Sequence, residues 1–473
     1  MSTAARIAKN TFFLASGQIA WLFLSLLLLA VAGRQLGVDD FGKYAFAFSF
    51  AAIFLAFTEM GFGQLIVRDV AREKSLTEKY LGNIFSAKLL LGLAAFALAA
   101  LLVNLLGYPA DTKTAVYLLS AYTVLSSLAG LAKNVFRAHE KMKYESAITV
   151  SAKTLNVALG VAALFLGYGL IGLCLAFLLS GAFEFIASFF LLSWKISRFR
   201  PEIDFVFWRR IFSDAAAFVA IAFIASLYGS ANQLLLSFFN GDTATGIFGA
   251  AFKLIEGFEM LPWLFIAAVF PALSLFFSSS RELLQKTYSK AFKLLFMIGL
   301  PFAVGVTLTS DKIISLVFGT EFIGAATVLT ILAWASLLKT LNSLDVSLLF
   351  AANQQKKVLG FAAASALIAL AVQLAFIKES FFGAAGALIA AVFFGFTANH
   401  LNARKICRTG ENAFILKSCI AAIAMALFLL FFAWIEVIAL IVFAAAIYFA
   451  ALLLLKGIST EEIGMARKAI GLN

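Results

Sequence analysis

The sequence predicts an all-α integral membrane protein with about fourteen transmembrane helices. Hydrophobic residues make up 63% of the chain and charged residues 13%, and the mean hydropathy is +0.99. A soluble protein would carry about a quarter charged residues. Apolar runs of about 20 residues, each long enough to cross a hydrocarbon core of about 30 Å, recur along the whole chain. These runs lack the alternation of a transmembrane β-barrel, which excludes that class.

The apolar runs define the spans in chain order. The first run follows only two basic residues and is much longer than the core of a signal peptide, so it is expected to be a retained span. Tight turns at 167–169 and 435–436 divide two closely spaced pairs of spans. The predicted spans cover residues 10–33, 43–66, 82–106, 114–133, 146–167, 169–193, 212–238, 244–270, 288–309, 325–349, 358–377, 383–401, 413–432 and 435–455.

Lysine and arginine are distributed unevenly between alternate loops. If the N-terminus is inside, 28 of the 37 Lys and Arg residues lie in cytoplasmic segments and 5 lie in outer loops. Cytoplasmic loops of membrane proteins carry an excess of these residues, so both termini are expected to be cytoplasmic (N-in/C-in). The same bias accounts for the formal net charge of +12 without a nucleic-acid partner.

Two internal repeats divide the chain into homologous halves. The pattern at 37–48 recurs at 241–252, and the glycine pair at 169–172 recurs at 383–386. The repeats predict an N-terminal six-helix bundle (1–193), a cytoplasmic linker (194–211), a C-terminal six-helix bundle (212–401), and two additional transmembrane helices with a cytoplasmic tail (402–473). Because six is even, both bundles share one orientation, and a substrate cavity is expected at their interface. The glycines expected to shape the paired turns are Gly37, Gly42, Gly241 and Gly246.

The order and spacing of several glycine-based motifs resemble those of polysaccharide-exporting flippases in the multidrug/oligosaccharidyl-lipid/polysaccharide exporter superfamily. The motifs are Arg34 with the turn at 37–44, and the segments 241–254, 318–322 and 383–387. The resemblance implies two six-helix bundles around a central lumen. It also implies movement of a lipid-linked oligosaccharide from the cytoplasmic to the outer leaflet. Many relatives have an acidic residue in span 7 where this chain has Asn232, so a cation-coupling role is not carried over to that position.

Four lysines inside predicted spans are the candidate substrate ligands: Lys253, Lys339, Lys88 and Lys153. A lysine facing lipid at mid-bilayer costs roughly 2.5–3.5 kcal/mol, so each should face water, a partner or an interface. The functional interpretation is that they line a wet cavity and bind the pyrophosphate of a polyprenyl carrier. The alternatives are snorkelling to the cytoplasmic interface for Lys88 and Lys153, an intrahelical pair with Glu256 for Lys253, and a cross-helix partner for Lys339.

The acidic residues in or beside the spans are Glu59, Glu184, Glu256, Glu259 and Asp345. They either neutralise the lysines or bind a coupling proton or sodium ion, and the sequence leaves both interpretations open.

Histidines and cysteines give no sign of a catalytic or metal site. His139 lies in a basic loop and His400 at the end of a span, so both are expected to be solvated. The cysteines, at 174, 407 and 419, show neither metal-ligand nor redox spacing. The sequence therefore predicts no catalytic residue, no metal site and no resident cofactor.

These features predict a flippase of the plasma membrane that translocates a polyprenyl-pyrophosphate-linked oligosaccharide by alternating access, for cell-surface polysaccharide or glycan biosynthesis. No covalent bond is formed, so no enzyme activity is expected. The expected partners are the lipid-linked substrate, membrane lipids and glycan assembly proteins. Three alternatives remain open. They are a multidrug extruder of the same superfamily, a membrane glycosyltransferase or saccharide polymerase, and a non-transporting scaffold.

Overall fold

The computed structural model describes residues 3–59, 61–197, 199–379, 381–407 and 413–457, which form thirteen α-helices and no strand. This confirms the predicted all-α fold class. The helices are α1 (Thr3–Glu59), α2 (Phe62–Arg72), α3 (Thr77–Leu105), α4 (Ala110–Ala138), α5 (Met142–Phe165), α6 (Gly169–Lys195), α7 (Phe205–Ser279), α8 (Arg281–Val317), α9 (Ala325–Ala351), α10 (Gln355–Ala375), α11 (Phe381–Ile406), α12 (Ala413–Phe431) and α13 (Val437–Leu454).

The helices α1 and α7 each contain two spans joined at a glycine kink. The backbone leaves the helical region at Gly37 (φ 70°) and at Gly241 (φ 83°), where glycine avoids the steric cost of a β-carbon. Within the described residues, twelve helices are long and apolar enough to cross a membrane. The helices α1 and α7 are 57 and 75 residues long, more than twice what one crossing requires. Counting each of them twice gives the fourteen predicted spans.

The first kink differs from its prediction in one detail. The sequence places residues 38–40 in the turn between the first two predicted spans, but those residues are helical and only Gly37 departs from the helix. A second break, at Gly61 (φ 70°), separates α1 from α2. The helix α2 buries Phe62, Ile66 and Val70 and packs against α4, so it extends the wall of the bundle.

The chain forms two compact units, residues 1–249 and 250–473, and the division falls within α7. In the first unit, the segment before α7 lies against α3: the backbone N–H of Asp204 donates to Asn83 Oδ1 at 2.7 Å. The Asp204 carboxylate accepts the N–H groups of Phe207 and Val206 and so caps the start of α7. These hydrogen bonds lower the pKa of Asp204. The predicted linker therefore contains the first residues of α7.

The two kinks contact each other in the first unit. A β-carbon added to Gly42 would lie 2.0 Å from the carbonyl oxygen of Asp242, and one added to Gly246 would lie 2.1 Å from that of Val38. The Thr243 hydroxyl also donates to Asp39 Oδ1 at 2.6 Å. Glycine is thus required at 42 and 246 because two backbones meet there.

In the second unit, α8 packs against α9, α12 and α13, while α11 packs against α9 and α10. Its core is apolar, with Leu295, Ala303, Leu344 and Leu348 buried among the interior residues. The two additional helices, α12 and α13, therefore belong to the packing of this unit through α8.

Candidate functional site

A cavity of about 860 Å³ opens inside the first unit, between α1, α2, α4, α5 and α6. It is unusual for a membrane bundle because much of its lining is charged or hydrogen-bonding. Its charged lining residues are Glu59, Arg68, Lys133, Arg137, Glu145, Lys153 and Glu184. Its other polar or aromatic lining residues include Gln18, Trp21, Tyr122, Ser126, Asn134, Thr149, Asn156 and Ser180.

One face of α4 supplies two of the positively charged residues that line the cavity. Tyr122, Ser126, Lys133 and Arg137 all line the cavity, and their spacings of three to four residues or multiples place them on one side of a helix. The predicted span ends at residue 133, and the sequence counts Lys133 and Arg137 among the cytoplasmic cations. In the structure α4 continues to Ala138, so both turn into the cavity. The spacing is visible in the sequence and places these residues on one face of the helix, but it does not show that this face lines a cavity.

The cations on α4 are held by carboxylates from neighbouring helices. Lys133 Nζ lies 2.6 Å from Glu184 Oε1 on α6. Arg137 binds Glu145 of α5 through two nitrogens, with Nε 2.8 Å from Oε2. Two-point guanidinium–carboxylate pairs are both strong and geometrically selective. These ion pairs fix the helices around the cavity while keeping charge at its surface.

Arg68 on α2 lies at the edge of the cavity and contacts Asp69, with its Nε 2.7 Å from Oδ1. Asp69 also accepts the hydroxyl of Tyr80 at 2.8 Å. The hydrogen bond from Arg68 and the one from Tyr80 lower the pKa of Asp69. The carboxylate therefore stays charged at neutral pH and holds Arg68 beside the cavity.

Lys153 on α5 reaches the cavity from the opposite side. Its Nζ lies 3.4 Å from Asn156 Oδ1, 5.3 Å from the ring centroid of Trp21 and 5.6 Å from that of Phe177. Aromatic faces attract an ammonium without neutralising its charge. Of the four lysines singled out in the sequence, this is the one that lines the large cavity.

Lys88 is buried in the bundle, whereas snorkelling requires its ammonium group to reach the membrane surface. It is only 2% exposed, and its Nζ donates to Glu59 Oε1 at 3.0 Å and to the carbonyl oxygen of Ser127 at 2.9 Å. The Ser127 hydroxyl donates to the same carboxylate at 2.8 Å. The snorkelling interpretation is wrong for Lys88, because the pair draws the ammonium into the bundle. Lys88 lies behind the cavity wall, while the Glu59 side chain faces the cavity and is 43% exposed.

Lys253 and Lys339 lie in the second unit, each beside a carboxylate. Lys253 Nζ is 2.7 Å from Glu256 Oε2 within α7, the intrahelical pair that their spacing allows. Lys339 Nζ on α9 is 2.6 Å from Glu259 Oε2 on α7, a cross-helix pair that spacing alone does not reveal. The second pair lines a smaller cavity of about 310 Å³ together with Trp263. Their role as head-group ligands stays a prediction.

Neither histidine is simply solvated. His139 is partly buried at the end of α4 beside Thr77, and burial together with Lys74 and Lys141 lowers its pKa. His400 Nδ1 lies 3.0 Å from Oδ2 of Asp345, which is fully buried. Solvation is therefore the wrong interpretation for His400.

No group of three or more His, Cys, Asp or Glu side chains suited to a metal ion occurs within the ranges that the structure covers. The charged side chains of the cavity in the first unit can bind an anionic or strongly polar group by exchanging hydrogen-bond and ion-pair partners.

The fold matches known membrane transporters over nearly the whole chain. It aligns with the inward closed conformation of the lipid II flippase MurJ at a TM-score of 0.76, with 15% identity, over 96% of this chain and 99% of that one. It aligns with an inward-facing multidrug resistance MATE family transporter of the MOP superfamily at a TM-score of 0.66, with 16% identity, over 82% and 95% of the two chains. The protein is therefore a multi-pass membrane protein with a MurJ- and MATE-like fold.

The family follows from the sequence comparison. Residues 7–277 match the model of the polysaccharide biosynthesis protein family, and the chain belongs to that family. It is 23% identical over 309 residues to the teichuronic acid biosynthesis protein TuaB of Bacillus subtilis (strain 168), and the aligned region covers 62% of this chain. The match spans about 60% of that relative's length. These findings confirm the family resemblance and the location in the cell membrane.

Proposed function

We propose that this protein is a flippase that moves a polyprenyl-pyrophosphate-linked oligosaccharide from the cytoplasmic to the outer leaflet by alternating access, for cell-surface polysaccharide biosynthesis. The observation that carries the proposal is the charged cavity inside a membrane bundle of this family. A cavity of about 860 Å³ has room for a pyrophosphate and one or more sugars, while the polyprenyl chain remains in lipid. Translocation requires no bond to form or break, so the proposal includes no enzyme activity.

The charges in the cavity suit an anionic head group. Four cations and three carboxylates line it, and the cations include both lysine and arginine. A pyrophosphate can replace Glu184 beside Lys133, or approach Lys153 next to its aromatic neighbours, without leaving a buried cation unpaired. Amide side chains such as Gln18 and Asn134 can then hydrogen-bond sugar hydroxyls.

The first test is charge removal in the cavity. Lys153→Gln and Lys133→Gln should each weaken head-group binding roughly 10- to 150-fold, because a hydrogen bond to a charged group contributes about 1.5–3 kcal/mol. Lys→Arg at either position should retain most of the binding. Binding of a polyprenyl-pyrophosphate oligosaccharide to the purified protein, and its flipping in proteoliposomes, would measure the effect. The matched control is Lys143→Gln, since Lys143 is exposed on the same helix as Lys153 and does not line the cavity.

The outcome also distinguishes between two locations for the site. If the cavity variants bind and flip like the parent while Lys253→Gln/Lys339→Gln does not, the head-group site lies at the ion pairs of the second unit. If neither set changes binding or flipping, recognition of an anionic head group is wrong. A purely structural role of the Lys253 pair predicts that Glu256→Gln restores a Lys253→Gln variant.

Orientation is part of the proposal. Because Lys and Arg concentrate in alternate loops, we place both termini in the cytoplasm and Asp242 and Lys378 outside. Single cysteines at these two positions, in a background lacking the three native cysteines, should react with an impermeant thiol reagent in intact cells. Labelling only after permeabilisation would contradict this orientation.

A multidrug extruder is the second candidate, favoured by the MATE-like fold alone. Cationic drugs require uncompensated carboxylates, whereas Glu145 and Glu184 in the cavity are each bound to a cation. If a cationic drug bound competitively with the lipid-linked saccharide and Glu184→Gln abolished only drug binding, this second function would be supported.

A further inference from the structure

Two adjoining cavities in the second unit combine a charged end with an apolar end. The first, of about 310 Å³, lies beside the Lys339–Glu259 pair and is also lined by Trp263. The second, of about 170 Å³, is lined by apolar side chains of α7 and α8 and by Thr340. Pro262 and Thr340 line both cavities, so the two adjoin. Together they are called the α7–α9 cleft below.

The apolar end of the α7–α9 cleft opens to the surface of the chain. Leu261, Leu294 and Ile298, which line it, are 49%, 41% and 42% exposed. Lipid chains are as apolar as these side chains, so a chain that enters the cleft gains packing contacts without burying a polar group. This end of the cleft therefore suits a hydrocarbon chain.

The position of the cleft along α8 matches the level at which lipid chains begin. Lys293 is followed by a stretch without charged residues, 294–310, which is about 26 Å of helix and forms the membrane-spanning part. Leu294 and Ile298 lie in the first two turns of that stretch. Trp263 is 66% exposed, and tryptophan is enriched where a membrane meets water. In the orientation proposed above, the cleft therefore faces the cytoplasmic leaflet.

The charged end of the cleft carries one cation and one anion. Lys339 Nζ lies 2.6 Å from Glu259 Oε2, and the two side chains are 52% and 20% exposed. An ammonium has three donors and a carboxylate has two acceptor oxygens, so each partner can make a further hydrogen bond while the pair stays intact. A head group with only a phosphate would place a second negative charge beside Glu259. A head group with a phosphate and an ammonium can satisfy both partners and adds no net charge.

The neighbouring side chains favour a primary ammonium over a quaternary one. A primary ammonium can donate a charge-assisted hydrogen bond to Glu259, whereas a quaternary ammonium has no N–H group to donate. The exposed face of Trp263 attracts either cation, so it adds affinity without selecting between them. The hydroxyl of Ser343, which donates to the carbonyl oxygen of Lys339 at 2.8 Å, can still accept a hydrogen bond.

We propose that the α7–α9 cleft binds a zwitterionic phospholipid of the ethanolamine type. Its phosphate accepts from Lys339, its primary ammonium donates to Glu259, and one of its chains packs along α7 and α8. The charged cavity has just over a third of the volume of the cavity in the first unit, which suits a small head group. The site is separate from the binding proposed for the lipid-linked saccharide and does not depend on it.

Native mass spectrometry of the purified protein tests the head group. Dioleoyl phosphatidylethanolamine, phosphatidylcholine and phosphatidylglycerol have the same chains, but their head groups carry a primary ammonium, a quaternary ammonium and no ammonium, respectively. The parent should retain one ethanolamine lipid at least about tenfold more tightly than either of the others, because a hydrogen bond between charged groups is added. Equal retention of the three lipids would overturn the proposal.

Glu259→Gln should abolish the preference for the ethanolamine lipid over phosphatidylglycerol, because the amide has no negative charge. Glu256→Gln is the matched control. It makes the same substitution about one turn earlier on α7 and also removes the carboxylate from a lysine, but it lies outside the lining of the cleft. This control should keep the preference. A preference that persists in Glu259→Gln would overturn the proposal.

The apolar end has its own pair of variants. Ile298→Trp should fill the cleft and weaken retention of all three phospholipids to a similar extent, because their chains are identical. Leu367→Trp should have no effect, since Leu367 is 68% exposed on α10 and lies outside the cleft. Unchanged retention of the ethanolamine lipid in Ile298→Trp would contradict a chain bound along α7 and α8.

Photo-crosslinking tests the site in the unmodified protein, whether or not the variants fold. Phosphatidylethanolamine with a diazirine in one chain, in nanodiscs of phosphatidylcholine, should label residues 258–265 or 294–299. Excess unlabelled phosphatidylethanolamine should block this labelling. Labelling confined to other segments would overturn the proposal. Blocking by a polyprenyl-pyrophosphate oligosaccharide would also overturn it, because the cleft would then belong to the substrate site. Flipping is not measured, so a failure of the flippase function would leave this result intact.

Discussion

Gly42→Ala is expected to prevent accumulation of the folded protein. The added β-carbon would meet the backbone carbonyl of Asp242 at 2.0 Å, and a backbone group cannot rotate away as a side chain can. Overpacking in a well-packed interior costs about 1–3 kcal/mol and more when backbone must move. Gly246→Ala should have the same effect, since its β-carbon would meet the backbone of Val38. Gly→Leu at either position should be worse still.

The measurements are the yield of monodisperse protein in detergent and its thermal unfolding. Gly360→Ala is the matched control, because no heavy atom lies within 4 Å of a β-carbon added to that helical residue in α10. That change should be neutral or stabilising, by up to about 1 kcal/mol from helix propensity. Normal yield and an unchanged Tm for Gly42→Ala would mean that the kinks do not need the observed contact.

Glu59→Gln is expected to destabilise the first unit by roughly 3–5 kcal/mol, because it leaves the buried ammonium of Lys88 without a carboxylate. Lys88→Met should cost less, since the remaining Glu59 carboxylate faces the cavity and can be hydrated. The double variant Lys88→Met/Glu59→Gln should recover most of the stability lost in Glu59→Gln, because no buried charge remains.

Thermal unfolding of the purified variants would measure this cycle. Glu184→Gln is the matched control: it makes the same substitution in the same cavity, but its partner Lys133 lines the cavity and can reach water. Its loss of stability should therefore be much smaller than that of Glu59→Gln. Equal losses in the two variants, or a double variant no more stable than Glu59→Gln, would show that Lys88 does not depend on this pair.

The structure also shows why the ion-pair partners of the candidate lysines could not all be predicted from the sequence. Hydropathy shows how deep in the membrane a lysine lies, but it does not identify the acidic residue that pairs with it. Lys88 and Glu59 are 29 residues apart, and Lys339 and Glu259 are 80 residues apart, so only helix packing brings each pair together. The intrahelical pair of Lys253 was foreseeable because its partner is three residues away on the same face.

By itself, the sequence determined the all-α membrane class, the number of spans, the paired glycine kinks and the family resemblance. These features depend on local properties: the length of apolar runs, the freedom of glycine and short-range periodicity. Tertiary structure alone decided that α4 turns Lys133 and Arg137 into a cavity, that Lys88 is withdrawn behind its wall, and that His400 meets Asp345. The physical reason is that a charge inside a membrane needs a compensating charge or hydrogen bond, which comes from the helix that packs beside it. Which helix that is depends on long-range packing.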